Sequence, residues 1–91
     1  MKKLLKYSKS HQAKKFFKKH PQLEIAFKNC LKSIVRSEKS IFDFDIKKLQ
    51  GIKDGFRFRK GNQRIVFIMT SDYKIIIIEV KEANNRGYIY K

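Results

Sequence analysis

Residues 56–67 read Phe56-Arg57-Phe58-Arg59-Lys60-Gly61-Asn62-Gln63-Arg64-Ile65-Val66-Phe67, and they carry the clearest structural signal in the sequence. Apolar and polar residues alternate up to a Gly-Asn pair, after which the sequence becomes apolar, which is the pattern of a β-hairpin with a two-residue turn. Such a turn sets three facing pairs: Lys60 with Gln63, Arg59 with Arg64, and Phe58 with Ile65.

Side chains alternate across a strand, so this register separates the hairpin into two chemically different faces. Its apolar face carries Phe56, Phe58, Ile65 and Phe67. Its other face carries three arginines, called here the arginine cluster: Arg57, Arg59 and Arg64. Directly opposed like charges destabilise a sheet, so gathering three of them predicts an anion site. The alternative is the solvated face of a very basic protein.

The composition predicts one small domain over residues 1–91 with a strong attraction to polyanions. Lys plus Arg number 23 against 8 Asp plus Glu, and the net charge is +15. Nucleic acid, the ribosome or an acidic protein are therefore the expected partners. The sequence has no apolar run long enough to cross a membrane, and Lys6 interrupts the N-terminal leucines, so we expect a cytoplasmic protein. One cysteine and two histidines cannot assemble a zinc-type site, and we expect no metal or cofactor.

The remaining periodicity predicts an α+β fold. Apolar residues at helical spacing indicate two helices within residues 11–38, expected as an antiparallel pair, with Ser8 or Ser10 as first cap and Pro21 opening the second helix. Strands are predicted at 3–7, 74–80 and 88–90, and a connector at 41–55. The helices should pack on one face of an antiparallel meander of three to four strands. The four consecutive isoleucines suit a strand that is buried on both faces.

Several segments in order resemble the RelE/ParE superfamily of bacterial toxins. These are Lys48-Leu49-Gln50-Gly51, the two hairpin strands, the isoleucine strand, and Asn84-Asn85-Arg86-Gly87-Tyr88-Ile89-Tyr90. The resemblance covers about residues 44–91, and the N-terminal half agrees in its helix-helix outline. It implies the toxin of a type II toxin–antitoxin pair.

The resemblance leaves different activities open. RelE-like members are ribosome-dependent mRNA endonucleases, in which a 2′-oxygen attacks its neighbouring phosphate without a metal. ParE-like members share the fold and inhibit DNA gyrase. A third possibility is a basic nucleic-acid-binding module without catalysis. The first of these is our leading hypothesis.

For an mRNA endonuclease, the resemblance implies catalytic roles for the arginine cluster and for Tyr90. Arg64 matches the arginine that grips the phosphate, and Tyr90 matches a C-terminal tyrosine used for stacking or proton transfer. Contacts to RNA are expected from nearby cations and an aromatic residue: Lys48, Lys53, Lys60, Arg86 and Tyr88.

Two departures from the family concern the chemistry. Asn84 stands where the family has a further catalytic arginine. Arg57 and Arg59 replace lysines, and arginine stays protonated, so neither accepts a proton readily, although both can bind phosphate bidentately. The general base is then expected among Lys53, Lys60, Glu82 and the two histidines, His11 and His20, or from the ribosome. Asp43 and Asp45 are expected to hold the connector rather than to act in catalysis.

The resemblance also implies a partner, a cognate acidic antitoxin that wraps the toxin. Four residues of the predicted strands are expected on the sheet face that the helices leave open: Val66, Ile68, Ile76 and Ile78. An exposed apolar surface of this kind predicts a protein partner.

Overall fold

The computed structural model describes residues 4–36, 44–72 and 74–85. In this part of the chain, two helices follow a first strand and precede four further strands. The elements are β1 (Leu4–Lys9), α1 (His11–Lys19), α2 (Pro21–Val35), β2 (Ile46–Lys48), β3 (Gly55–Lys60), β4 (Gln63–Ser71) and β5 (Ile75–Asn85). The fold is therefore α+β, as predicted.

The hairpin between β3 and β4 has the predicted register. Arg59 lies opposite Arg64, and Phe58 lies opposite Ile65. Gly61 has a φ of 59°, a backbone conformation that suits glycine at the first central position of a type II′ turn. The alternation of the sequence and the chemistry of its turn were sufficient to fix this element.

The two helices begin where their sequence signals predict. The Ser10 hydroxyl accepts a hydrogen bond from the Ala13 N–H at 3.1 Å and caps α1. Pro21 occupies the first turn of α2, where its missing N–H costs nothing. His20 alone separates the helices, and its N–H donates to the Phe16 and Phe17 carbonyls. The antiparallel arrangement of the pair stays a prediction.

The sheet differs from the predicted antiparallel meander. It has five strands in the order β1-β5-β4-β3-β2, and β1 runs parallel to β5. β2 forms within the predicted connector and pairs with β3. The prediction missed the parallel pairing because β1 and β5 come from opposite ends of the chain, and local patterns carry no information about such contacts.

The core lies between the helices and one face of the sheet. Phe27 of α2 is fully buried, with its ring centroid 5.2 Å from Phe58 and 5.0 Å from Phe67. The isoleucine strand contributes Ile76 and Ile78 to this core. Both were predicted on the open face, which was wrong, and the strand is not buried on both faces. Ile75 and Ile77 lie on the open face instead and are half-buried.

The end of β5 differs from the pattern of its sequence. The polar run at 84–87 predicts a turn, but Asn84 and Asn85 belong to the strand. The polar pair at 71–72 also predicts a turn, and this one is confirmed, because the Asp72 side chain accepts hydrogen bonds from the Lys74 and Ile75 N–H groups at 2.7 and 2.9 Å. The predicted strand at 88–90 lies outside the described residues. Neither α1 nor α2 has the length and hydropathy that a membrane span requires.

Candidate functional site

The arginine cluster lies on the face of the sheet that the helices leave open. Arg59 and Arg64 are directly opposite each other, and Arg57 lies opposite Val66. On its other side Arg57 faces Lys47 of β2. Lys47 therefore adds a fourth positive charge, which the sequence reasoning missed because it treated this segment as a connector. The alternation of buried Ile46 and exposed Lys47 was the available signal.

Asp45 binds two arginines of the cluster at once. Its Oδ1 accepts a hydrogen bond from Arg57 Nη2 at 3.1 Å, and its Oδ2 accepts one from Arg59 Nε at 2.8 Å. Its backbone carbonyl also accepts from the Arg59 N–H at 3.0 Å. The carboxylate therefore joins the two guanidinium groups at the edge of the open face. Asp45 was expected only to hold the connector, so this role is larger than predicted.

Arg64 has a different environment from its neighbours. No described residue forms an ion pair or a side-chain hydrogen bond with it, and its Nε is buried. The Nε of Arg57 is likewise buried and has no hydrogen-bond partner in the described segments. A buried donor without a partner costs about 1–3 kcal/mol, so the cluster holds unused hydrogen-bonding capacity. Arg64 is thus the arginine whose charge no described carboxylate offsets.

The electrostatics of the cluster favour an anion. Three arginines and Lys47 share this part of the face with two carboxylates, Asp45 and Glu82, so positive charge remains in excess. The hydrogen bond from Arg59 lowers the pKa of Asp45 below its ordinary value. Burial acts in the opposite direction, and the charges of Arg59, Arg57 and Lys47 lower the pKa further. Asp45 therefore stays ionised at neutral pH, and the remaining charge is available for a phosphate.

The same face carries polar residues of β5 beside the cluster. Glu82 lies opposite Val66, in the cross-strand row that also contains Arg57, and it is exposed. Asn84 lies opposite Arg64, and its Oδ1 accepts a 3.3 Å hydrogen bond from Gln12 Nε2. Glu82 is therefore the described residue that brings a carboxylate to the open face near the arginines without being paired to them.

The predicted RNA-binding lysines do not gather around the arginines. Lys60 pairs with Gln63, and strand alternation places it on the side of the sheet opposite to the cluster. Lys48 and Lys53 line a shallow depression of about 580 Å³ between β2 and β3, at the start of β3. Other predicted site residues lie outside the described part of the chain: Arg86, Tyr88 and Tyr90.

The histidines lie away from the cluster. His11 begins α1, and the His20 ring packs against Phe16 at an interplanar angle of 32°, with 4.4 Å between centroids. Both belong to the helical layer, so neither is placed to act as a base at the arginines. Across residues 4–36, 44–72 and 74–85, no group of three or more histidine, cysteine or carboxylate side chains is arranged to hold a metal ion.

Comparison with known proteins gives a fold relationship. No protein-family model matches the sequence, and no curated protein does. Among solved structures, a chain of the RelB-RelE antitoxin-toxin complex from Methanococcus jannaschii is similar, with a TM-score of 0.60 and 22% sequence identity over 90% of this chain and 93% of that chain. The two chains share a fold. At this identity the likeness says nothing about which side chains keep a function, so the site must be argued from its own geometry.

Proposed function

We propose that this chain is the toxin of a toxin–antitoxin pair and a metal-independent endonuclease that acts on ribosome-bound mRNA. The observation that carries the proposal is the arginine cluster on the open sheet face, where Arg64 lies opposite Arg59 without a carboxylate of its own. The shared fold with a chain of an antitoxin–toxin complex and the net charge of +15 support it.

The proposed reaction needs cations more than any other groups. A base takes the proton of the 2′-hydroxyl as its oxygen attacks the adjacent phosphorus. The bond to the 5′-oxygen breaks, this oxygen takes a proton from Tyr90, and the products are a 2′,3′-cyclic phosphate and a 5′-hydroxyl. Negative charge accumulates on the phosphate oxygens in the transition state, where fixed guanidinium donors stabilise it. In this proposal Arg64 binds the scissile phosphate, and Arg57 and Arg59 stabilise its added charge. Tyr90, Arg86 and Tyr88 keep their predicted roles in stacking, proton transfer and RNA contact.

A proton must leave the 2′-hydroxyl, and the cluster itself cannot accept it. Of the candidate bases proposed from the sequence, Lys53, Lys60, His11 and His20 lie away from the cluster, whereas Glu82 shares its face. We therefore assign the general base to Glu82. A positioned base contributes about 10²- to 10⁴-fold to such a reaction. Glu82→Gln should lower the cleavage rate by this order and leave RNA binding intact, whereas an unchanged rate would exclude Glu82.

The central test is Arg64→Ala in a translation mixture. Removing one donor to a developing oxyanion typically costs about 10²- to 10³-fold in rate, so we expect mRNA cleavage to fall by at least this order. The reaction is followed by mapping 5′ ends on a reporter mRNA. Arg64 is only partly buried, and the circular dichroism spectrum should not change.

Arg36→Ala is the matched control. Arg36 is exposed at the end of α2, and its replacement removes the same charge at a position outside the open sheet face. This variant should cleave mRNA nearly as well as the unaltered chain. Equal losses in both variants would mean that only net charge matters, and full activity of Arg64→Ala would remove the proposed site.

The antitoxin proposed here is acidic and covers the open face. Val66 lies beside Arg57, and beyond it this face continues into three half-buried apolar residues: Ile68, Ile75 and Ile77. Leu4 extends the surface at the edge of the sheet and is 72% exposed. An amphipathic segment with carboxylates at one end would match both the apolar and the cationic half of this face.

The second candidate function is ParE-like inhibition of DNA gyrase without cleavage. What favours it is the ion pairing of Arg57 and Arg59 with Asp45, which leaves less charge for a phosphate. In that case the cluster would be a protein-docking surface. Induction of the chain in a bacterium separates the two, because DNA damage would precede any loss of mRNA.

A further inference from the structure

We propose that Asp45 is a positioning residue of the anion site, which holds the guanidinium groups of Arg57 and Arg59 side by side so that both face one phosphate. The inference rests on the proposed binding of RNA at the arginine cluster. It assigns a role to a carboxylate that would otherwise be taken as a competitor of the phosphate.

The position of Asp45 is fixed by the backbone rather than by its ion pairs. Its carbonyl accepts the Arg59 N–H, and the next residue, Ile46, is buried opposite Phe58. The backbone of Asp45 is therefore held at the edge of the sheet independently of its ion pairs. A short side chain on an anchored backbone has few positions available, so its carboxylate constrains the longer arginine side chains that bind it.

Each oxygen of Asp45 serves one arginine. Arg57 and Arg59 lie two residues apart on the same strand face, where their charges repel each other. The two hydrogen bonds, at 3.1 and 2.8 Å, bring both guanidinium groups to the same carboxylate. The Arg57 side chain is only 16% exposed in this arrangement, against 35% for Arg59. Arg57 is therefore the more buried of the two, whereas Arg59 makes the shorter hydrogen bond to Asp45.

Binding to Asp45 leaves both arginines able to bind a phosphate. A guanidinium group has five N–H donors, and Asp45 takes one side-chain donor from each arginine. The carboxylate offsets one charge of the three in the cluster, while Lys47 adds one beside Arg57. The positive charge that Asp45 offsets is therefore small compared with the benefit of ordering the arginines. Two guanidinium groups that are already held side by side lose less conformational freedom when they bind a phosphate.

Asp45→Asn separates positioning from competition because the two predict opposite changes. Removal of a negative charge normally strengthens binding to RNA. If Asp45 positions the arginines, Asp45→Asn should instead weaken the affinity for a short single-stranded RNA about fivefold, as expected for loss of a partly exposed ion pair. Binding is measured by fluorescence anisotropy with the full chain at fixed, moderate salt, and the melting temperature of each variant is recorded.

Glu79→Gln is the matched control. It also removes one negative charge on the open face, but Glu79 pairs with Lys81 and not with an arginine. The Glu79→Gln variant should bind the RNA as tightly as the unaltered chain or slightly more tightly. Asp45→Glu keeps the charge with a longer side chain, and positioning predicts an affinity between those of the unaltered chain and Asp45→Asn.

The outcomes distinguish this inference from the proposed function. If the unaltered chain binds no RNA, the positioning role fails, and the proposed function is decided by cleavage in the translation mixture. If it binds and Arg64→Ala weakens binding, but Asp45→Asn binds equally or more tightly, only the positioning role is overturned. Should Asp45→Asn unfold, Asp45→Glu decides, since competition predicts an unchanged affinity for it and positioning predicts a weaker one.

Discussion

Glu24 shows how single side chains connect the helical layer to the sheet. Its carboxylate on α2 accepts a hydrogen bond from the Tyr7 hydroxyl at 3.1 Å and forms an ion pair with Lys9 at 2.8 Å, both residues of β1. The Nζ atom of Lys28 lies 4.0 Å from the same carboxylate. Burial alone would raise the pKa of Glu24, but the hydrogen bonds from Lys9 and Tyr7 and the charges of Lys9 and Lys28 outweigh it. The pKa of Glu24 therefore lies below its ordinary value.

This shift predicts a dependence of stability on pH. A carboxyl group with a lowered pKa in the folded state stabilises the protein above its unfolded pKa, and this contribution is lost as the pH falls through the lowered value. The free energy of unfolding should therefore decline below about pH 4 more steeply in the unaltered chain than in Glu24→Gln. Urea titrations between pH 7 and 3 measure the free energy of unfolding of each variant. Glu79→Gln is the control, because it removes a carboxylate from an exposed ion pair. Parallel curves for Glu24→Gln and the unaltered chain would contradict the prediction.

At the scale of elements, side chains at the start of α1 provide hydrogen-bond partners for the edge of β5 beyond the point where β1 ends. β1 pairs with β5 only as far as Lys9 and Val80. Beyond that point, the Gln12 side-chain amide donates to the Ala83 carbonyl at 2.7 Å and accepts from the Ala83 N–H at 2.9 Å, as a neighbouring strand would. The Ser10 hydroxyl donates to the Lys81 carbonyl at 2.7 Å. The edge is thereby covered close to the residues that face the arginines.

Gln12→Ala should destabilise the fold and loosen this part of β5. Ala83 is fully buried, and loss of both hydrogen bonds leaves its backbone groups without partners, at a cost of about 1–3 kcal/mol. Hydrogen exchange of the Ala83 amide should accelerate, while the exchange of amides in the β3–β4 hairpin changes less. Gln22→Ala, at an exposed position on α2, is the control. Unchanged exchange at Ala83 would show that the side chain contributes nothing to the edge.

At the scale of the whole molecule, the sheet has two unlike faces. The helices cover one face and form the core, whereas the other carries the arginine cluster at one end and apolar residues at the other. The proposed function divides this face between two ligands. RNA binds at the cationic end, and an acidic partner covers the whole face.

This division predicts that antitoxin binding and cleavage can be separated. Ile77→Glu places a charge in the apolar half, so it should abolish co-purification of the proposed acidic partner, while cleavage by the free chain persists. Ile25→Glu is the control, because Ile25 is 50% exposed on α2 in the helical layer. Retention of the partner by Ile77→Glu, or equal loss with Ile25→Glu, would show that the partner binds elsewhere.

Much of this architecture follows from local sequence patterns. The alternation around Gly61 and Asn62 determined the hairpin register, and with it the face shared by the three arginines. Helical spacing, a serine cap and Pro21 determined where the helices begin. These features depend on residues within a few positions of each other, where backbone geometry and the burial of one face suffice to select the structure.

The tertiary structure decided the features that join distant parts of the chain. The parallel pairing of β1 with β5, the contact of Gln12 with Ala83 and the burial of Ile76 rather than Ile75 all depend on which strand neighbours which. The Asp45 bridge likewise exists only because β2 lies beside β3. The sequence by itself thus determined that the arginines gather on one face, and packing between distant segments determined which of them a carboxylate holds, because pairing between separated segments has no signature in local periodicity.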